Sequence, residues 1–129
     1  MATSMDYLVS VLNIRDIRGN RVITVDGSVI HVNPMMKPHE IPCEIINPGK
    51  VTDVVQVIGG STCMEMDRFL PRGLHELIEM DTQILFHACG AYMSTHNSSF
   101  INAAPNIYIK KDDEYIILRK KSIESMIKY

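Results

Sequence analysis

The sequence predicts an all-β fold, and three observations carry that expectation. Short apolar runs rich in β-branched residues recur along most of the chain. Turn-forming stretches such as Asp26-Gly27 and Asn47-Pro48-Gly49 separate them. No segments of helical period alternate with these runs, as a parallel α/β sheet would require. Barrels and sandwiches share this pattern.

The elements follow in order. Tyr7 to Ile14 is apolar and partly alternating, so it reads as a first strand. The polar stretch from Arg15, turning at Arg18-Gly19-Asn20, leads into a second strand, Arg21 to Val25. Asp26-Gly27 reads as a tight turn before a third, Ser28 to Val32. Pro34, Pro38 and Pro42 then predict a loop that no central strand would contain. Cys43 to Ile46 and Asp53 to Ile58 are further strands, and Gly59-Gly60-Ser61-Thr62 is a loop. Leu74 to Met80 fits either a short helical turn or an irregular bend. Gln83 to His87, Asn106 to Ile109 and Glu114 to Leu118 are strands, the last two joined at Asp112-Asp113. Ser122 is placed to cap a short helix through Tyr129, with Ile123, Met126 and Ile127 on one face.

Composition narrows the function classes. With 129 residues, one domain spanning 1–129 is expected. Hydrophobic residues make up 46% of the chain, enough for a compact core. A formal net charge of -2 argues against nucleic-acid binding through a phosphate-neutralising field. No apolar run approaches the roughly 20 residues that span a bilayer, so no membrane role is expected. The opening residues lack a signal-peptide profile, and three widely spaced cysteines fit a reducing, cytoplasmic setting. Nine Met and no Trp suggest a core of flexible fillers.

Two islands interrupt the hydrophobic rhythm. The first runs from Gly59 to Asp67 and carries Cys63, whose thiol follows a loop where backbone can approach a ligand closely. Read alone, Cys63 is as well explained as a small buried hydrophobe. The second is Ala88-Cys89-Gly90-Ala91-Tyr92, where two small residues give a phenol clearance. Its bland counterpart is a bulge at Gly90 with Tyr92 as a half-buried strand aromatic.

Together, and in this order, the islands resemble the C-terminal domain of the pyridoxal-phosphate-dependent decarboxylases of the alanine-racemase fold type, the ornithine and diaminopimelate decarboxylase group. That family carries Gly-Pro-Thr-Cys, an acidic residue, two variable residues and Asp, then Gly-Ala-Tyr, then Phe-Asn-Gly. Here stand Gly59-Gly60-Ser61-Thr62-Cys63 with Asp67, then Gly90-Ala91-Tyr92, then Phe100. Val25-Asp26-Gly27 and Leu118-Arg119-Lys120-Lys121-Ser122 match further segments, so the resemblance covers nearly the whole chain. It implies a Greek-key β-barrel with a short C-terminal helix.

Residue roles follow by implication. Cys63 falls on the cysteine that reaches into a partner's site and protonates the substrate carbon after carbon dioxide leaves. Tyr92 falls on the phenol that binds the cofactor phosphate, with Gly90 and Ala91 giving clearance. Met64, Glu65 and Asp67 fall on the substrate-facing loop, Asp67 orienting it. Departures bear on the substrate. Met64 replaces the acidic residue that pairs with a distal amino group, Glu65 comes one position late, Pro38 stands where an aspartate is usual, and Asn102 is displaced by one. A lysine or ornithine substrate is therefore not expected.

The family's cofactor lysine and phosphate loop lie on an N-terminal α/β barrel, to which no stretch of this sequence corresponds. The seven lysines here read as turn or surface residues. The chain is thus expected to be inactive alone and to serve as the C-terminal domain, or a split subunit, of an amino-acid decarboxylase. Its partner would be a cofactor-binding barrel in a homo- or hetero-oligomer, with pyridoxal 5'-phosphate shared but not held covalently by this chain. The alternative is a non-catalytic binding or assembly module of the same fold. A metal site from His87, Cys89 and His96 lacks paired ligand spacing, and no metal is expected.

Overall fold

The computed structural model describes residues 5–90 and 99–120, together with 122 and 124. Nine strands appear among them: β1 (Tyr7–Ile17), β2 (Asn20–Val25), β3 (Ile41–Ile46), β4 (Gln56–Gly59), β5 (Arg68–Phe69), β6 (Pro71–Arg72), β7 (Gln83–Phe86), β8 (Ile107–Lys111) and β9 (Glu114–Arg119). The first seven form one sheet in the order β5-β4-β2-β1-β7-β3-β6. Its two edge strands are consecutive in the chain, separated only by Leu70. Arg68 and Phe69 pair with β4, while Pro71 and Arg72 pair with β3, so one extended segment joins both edges and nearly closes the barrel. Ile41 N–H donates to the Leu70 carbonyl (2.8 Å) within that seam. The fold is all-β, as the strand rhythm predicts, and of the two architectures that rhythm allows it is the barrel implied by the resemblance.

Alternation fills the interior. Val9 and Val11 of β1 point inward while Leu8 and Leu12 face out. Ile23 and Val25, Ile58, Phe69, Ile84 and Phe86 complete the centre, with Phe69 and Phe86 stacked at 4.6 Å. β1 runs on to Ile17 because Arg18 (φ 50°) and Gly19 (φ 82°) make the two-residue turn favoured by hairpin twist. Asp112 (φ 48°) and Asp113 (φ 65°) do the same between β8 and β9. That hairpin forms its own two-stranded sheet, and Tyr115, Ile116, Ile117 and Leu118 are exposed on it.

Three expectations are corrected. Ser28 to Val32 is not a strand but a capped 3-10 turn over Val29–His31. Ser28 Oγ accepts the Ile30 N–H (3.4 Å) and Asp67 accepts the Val29 N–H (2.8 Å), so side chains take donors that a ladder would have used. Pro42 lies inside β3 rather than in the preceding loop, near the strand's end, where it contributes its carbonyl to the His87 N–H (2.8 Å). The strand foreseen over Asp53 to Ile58 begins only at Gln56: Val54 and Val55 are exposed, and the Val55 carbonyl alone still reaches β2, accepting the Arg21 N–H (3.2 Å). Leu74 to Met80 is an irregular extended stretch, pinned where both ends of the Gln56 amide meet Glu76 and Ile78. The helix expected from Ser122 lies largely outside the described residues. Among those described, no helix is long and apolar enough to cross a membrane.

Candidate functional site

The loop 60–67 leaves β4 and re-enters the sheet at β5, and Asp67 gives it its shape. Its carboxylate is 3% exposed and accepts from Val29 N–H (2.8 Å), Thr62 N–H (3.1 Å) and the Thr62 hydroxyl. Gly60 packs against it so tightly that a Cβ there would lie 2.1 Å from Asp67 Oδ1, so only glycine fits. Ser61 ties the loop to the end of β2, donating its backbone N–H (2.8 Å) and its hydroxyl (3.1 Å) to the Gly27 carbonyl. Held at both ends in this way, the loop presents Cys63 and Glu65 outward, with Met64 half-buried between them.

The three cysteines differ sharply. Burial pushes the Cys43 thiol up to about 11 and the Cys89 thiol up to about 12, with Glu76 and Asp6 respectively adding to the rise. Cys63 is the exposed one. At neutral pH half-buried Cys43 and buried Cys89 remain protonated and behave as small hydrophobes, the reading that sequence alone allowed for Cys63.

A group that sequence reasoning missed lies beneath this loop. Tyr7 Oη accepts the Ser28 N–H (3.3 Å) and contacts His31 Nδ1 at 2.9 Å. Burial raises the Tyr7 phenol well above its ordinary value, and the carboxylates of Asp26 and Asp67 and the Cys89 thiol add to the effect, against the Ser28 N–H, which lowers it. The phenol therefore keeps its proton, and its oxygen shares a hydrogen bond with His31 Nδ1 whose donor is set by the imidazole tautomer. Gly27 allows this packing, since a Cβ there would fall 2.5 Å from Tyr7 Oη. The signal available in sequence was Asp26-Gly27-Ser28, a turn followed by a capping serine. A cavity of about 910 Å³ opens beside Tyr7, His31 and Cys89, bounded on its far side by Tyr108 and Lys110 of the hairpin.

Gly90 follows Cys89 and is half-buried at the same end of the molecule as Tyr7, while Ala91 and Tyr92 lie outside the described residues. Asn102, a departure that lies far from the Cys63 loop in sequence, is brought directly to it: its Nδ2 donates to Ser61 Oγ (2.6 Å). Lys37, Lys50, Lys110, Lys111 and Lys120 are all exposed. His87 contacts Asp6 (3.2 Å) and Glu44 (3.8 Å), and no cluster among the described residues is arranged to hold a metal ion.

No protein-family model matches the chain, and no curated protein matches its sequence. Solved structures do. A Helicobacter pylori diaminopimelate decarboxylase complexed with L-lysine matches with a TM-score of 0.79 at 20% identity, over 97% of this chain and 31% of that one. Diaminopimelate decarboxylase from M. jannaschii, in complex with L-lysine, gives 0.74 at 19%, over 96% and 29%. A lysine/ornithine decarboxylase from Vibrio vulnificus, complexed with cadaverine, gives 0.64 at 20%, over 78% and 28%. The chain spans less than a third of the length of each. The nearly closed barrel of this chain thus shares its fold with the C-terminal domain of the diaminopimelate and lysine/ornithine decarboxylases.

Proposed function

We propose that this chain is the C-terminal domain, or a split subunit, of a pyridoxal-phosphate-dependent amino-acid decarboxylase acting in the cytoplasm. In this reading one domain covers 1–129 and a cofactor-binding barrel completes the site. The observation that carries the reading is the placement of Cys63: exposed on a loop braced by a buried carboxylate, while Cys89 is buried, Cys43 is half-buried and both are hard to ionise.

The described residues fit a shared cofactor better than an owned one. The described lysines are exposed on the surface, so covalent attachment falls to the barrel. Pyridoxal phosphate, when bound there, would supply the electron sink that loss of carbon dioxide requires. Cys63 Sγ then delivers a proton to the substrate carbon that lost the carboxylate. In this reading Tyr92 would hold the cofactor phosphate, and Gly90 and Ala91 would leave it room. Met64 and Glu65 face the substrate side chain, while Asp67 supports them from behind. With Met64 in the acidic position, a distal ammonium goes unpaired and is weakly selected.

The experiment is reconstitution with a cofactor-barrel subunit. Cys63→Ala should spare cofactor retention, read by absorbance, and impair protonation of the product. Tyr92→Phe should instead weaken retention. Covalent cofactor binding and carbon dioxide release by the isolated chain would overturn the proposal. A second reading, a non-catalytic assembly module, draws on the exposed apolar hairpin β8–β9. Reconstituted complexes that assemble but never turn over any amino acid would favour it.

A further inference from the structure

Two departures from the decarboxylase pattern lie far apart in sequence. Aligned on Thr62-Cys63, Ser61 stands where the pattern has proline. An extra residue, Ile101, separates Phe100 from Asn102. The structure joins them. Asn102 Nδ2 donates to Ser61 Oγ at 2.6 Å, and the serine's own proton goes to the Gly27 carbonyl. One hydroxyl thus acts once as donor and once as acceptor, which a proline cannot do.

The extra residue is what makes the reach possible. Ile101 adopts φ 64°, and the Asn102 N–H closes back on the Phe100 carbonyl at 2.7 Å, a tight turn that folds the chain onto itself. A β-branched residue in this region is strained, and such strain persists only where its surroundings over-determine it. Ile101 is 51% exposed, so burial of its side chain is not what holds it there.

We propose that Asn102 is a positioning residue for the Cys63 loop. It acts through Ser61, and Ile101 is the turn residue that brings its amide within reach. Ser61 is two residues from Cys63 and is already fixed to Gly27, so the Asn102 bond adds a brace from a separate segment of the chain. The consequence for catalysis rests on the reading of Cys63 as proton donor; the mechanical claim does not.

The test uses this chain with an aromatic disulfide reagent at pH 7.5. Cys43 and Cys89, raised to about 11 and about 12, react slowly, so the fast phase reports Cys63. Ser61→Ala and Asn102→Ala should each speed that phase about two- to tenfold, the range for losing one hydrogen bond. The double variant should show no further increase. Ser61→Thr keeps the hydroxyl, and Ile101→Gly accepts φ 64°, so both should retain the original rate. Ile101→Pro, locked at negative φ, should match Asn102→Ala. Unchanged rates in both alanine variants, additive effects, or a fall in melting temperature with no rate change would overturn the proposal. In the reconstituted enzyme, Asn102→Ala should lower kcat at constant KM. If the thiol results hold and that kinetic result fails, the proposed function fails and the brace stands.

Discussion

Replacing Asp67 offers the most direct test of how the candidate site is built. Its carboxylate satisfies the buried Val29 N–H and both donors of half-buried Thr62. Hydrogen bonds to a charged acceptor contribute about 1.5–3 kcal/mol, and an orphaned buried N–H keeps its full desolvation cost. Water replaces the Thr62 contacts more readily than the Val29 contact. Asp67→Ala should therefore destabilise the fold by about 3–5 kcal/mol, out of the 5–15 typical of a domain. Asp67→Asn keeps one oxygen for Val29 but turns an amide toward Thr62, so about half that loss is expected. Gly60→Ala should resemble Asp67→Ala, because its methyl would displace the same carboxylate. Urea unfolding at neutral pH measures all three; a shifted midpoint at constant slope reports stability itself. If Asp67→Ala lay within about 0.5 kcal/mol of the parent, the network would carry no load and this account of the loop would be wrong.

Two further outcomes follow. Tyr7, Cys43 and Cys89 all have acid forms favoured by folding, so above pH 9 the unfolded chain sheds protons that the native one retains. Stability should be level below that point and decline as pH rises toward 11–12, with a shallower decline in Cys89→Ala; a melting temperature that rises from pH 9 to 11 would contradict this. The hairpin β8–β9 exposes Tyr115, Ile116, Ile117 and Leu118, so the isolated chain should self-associate and Ile117→Lys should reduce this in sedimentation. A strict monomer at every concentration would count against it.

How much of this was legible in sequence depends on the kind of interaction. Strands with their own alternation, such as β1 and β7, could be read directly because each residue's facing is set by its neighbours. The seam was not: Arg68 to Arg72 has no strand signature and is extended because β4 and β3 offer it partners on either side. Ser28 to Val32 misled for the opposite reason. Its β-branched residues suit a strand, yet Asp67, 38 residues away from Val29, claims the backbone donor. At the site, Cys63 and Asp67 stood out through glycine-rich surroundings. Tyr7 and His31 carried no local mark, since their pairing exists only once β1 is folded beside the Gly27 turn. Asn102 was visible as a displaced residue, but its partner was not.

The seam also bears on how this domain can change over time. The segment from Arg68 to Arg72 belongs to both edges of the sheet, and the Cys63 loop runs straight into it. Gly59 sits opposite Arg68, so the eight residues 60–67 form a closed span between paired positions. A one-residue slip of the seam would turn Phe69 off the core face and break register on both sides of the barrel at once. Side chains at 63, 64 and 65, by contrast, can be exchanged without touching either edge. Substitution inside the loop, or a change in the separate turn at 100–102 that braces it, therefore leaves the closure of the barrel intact.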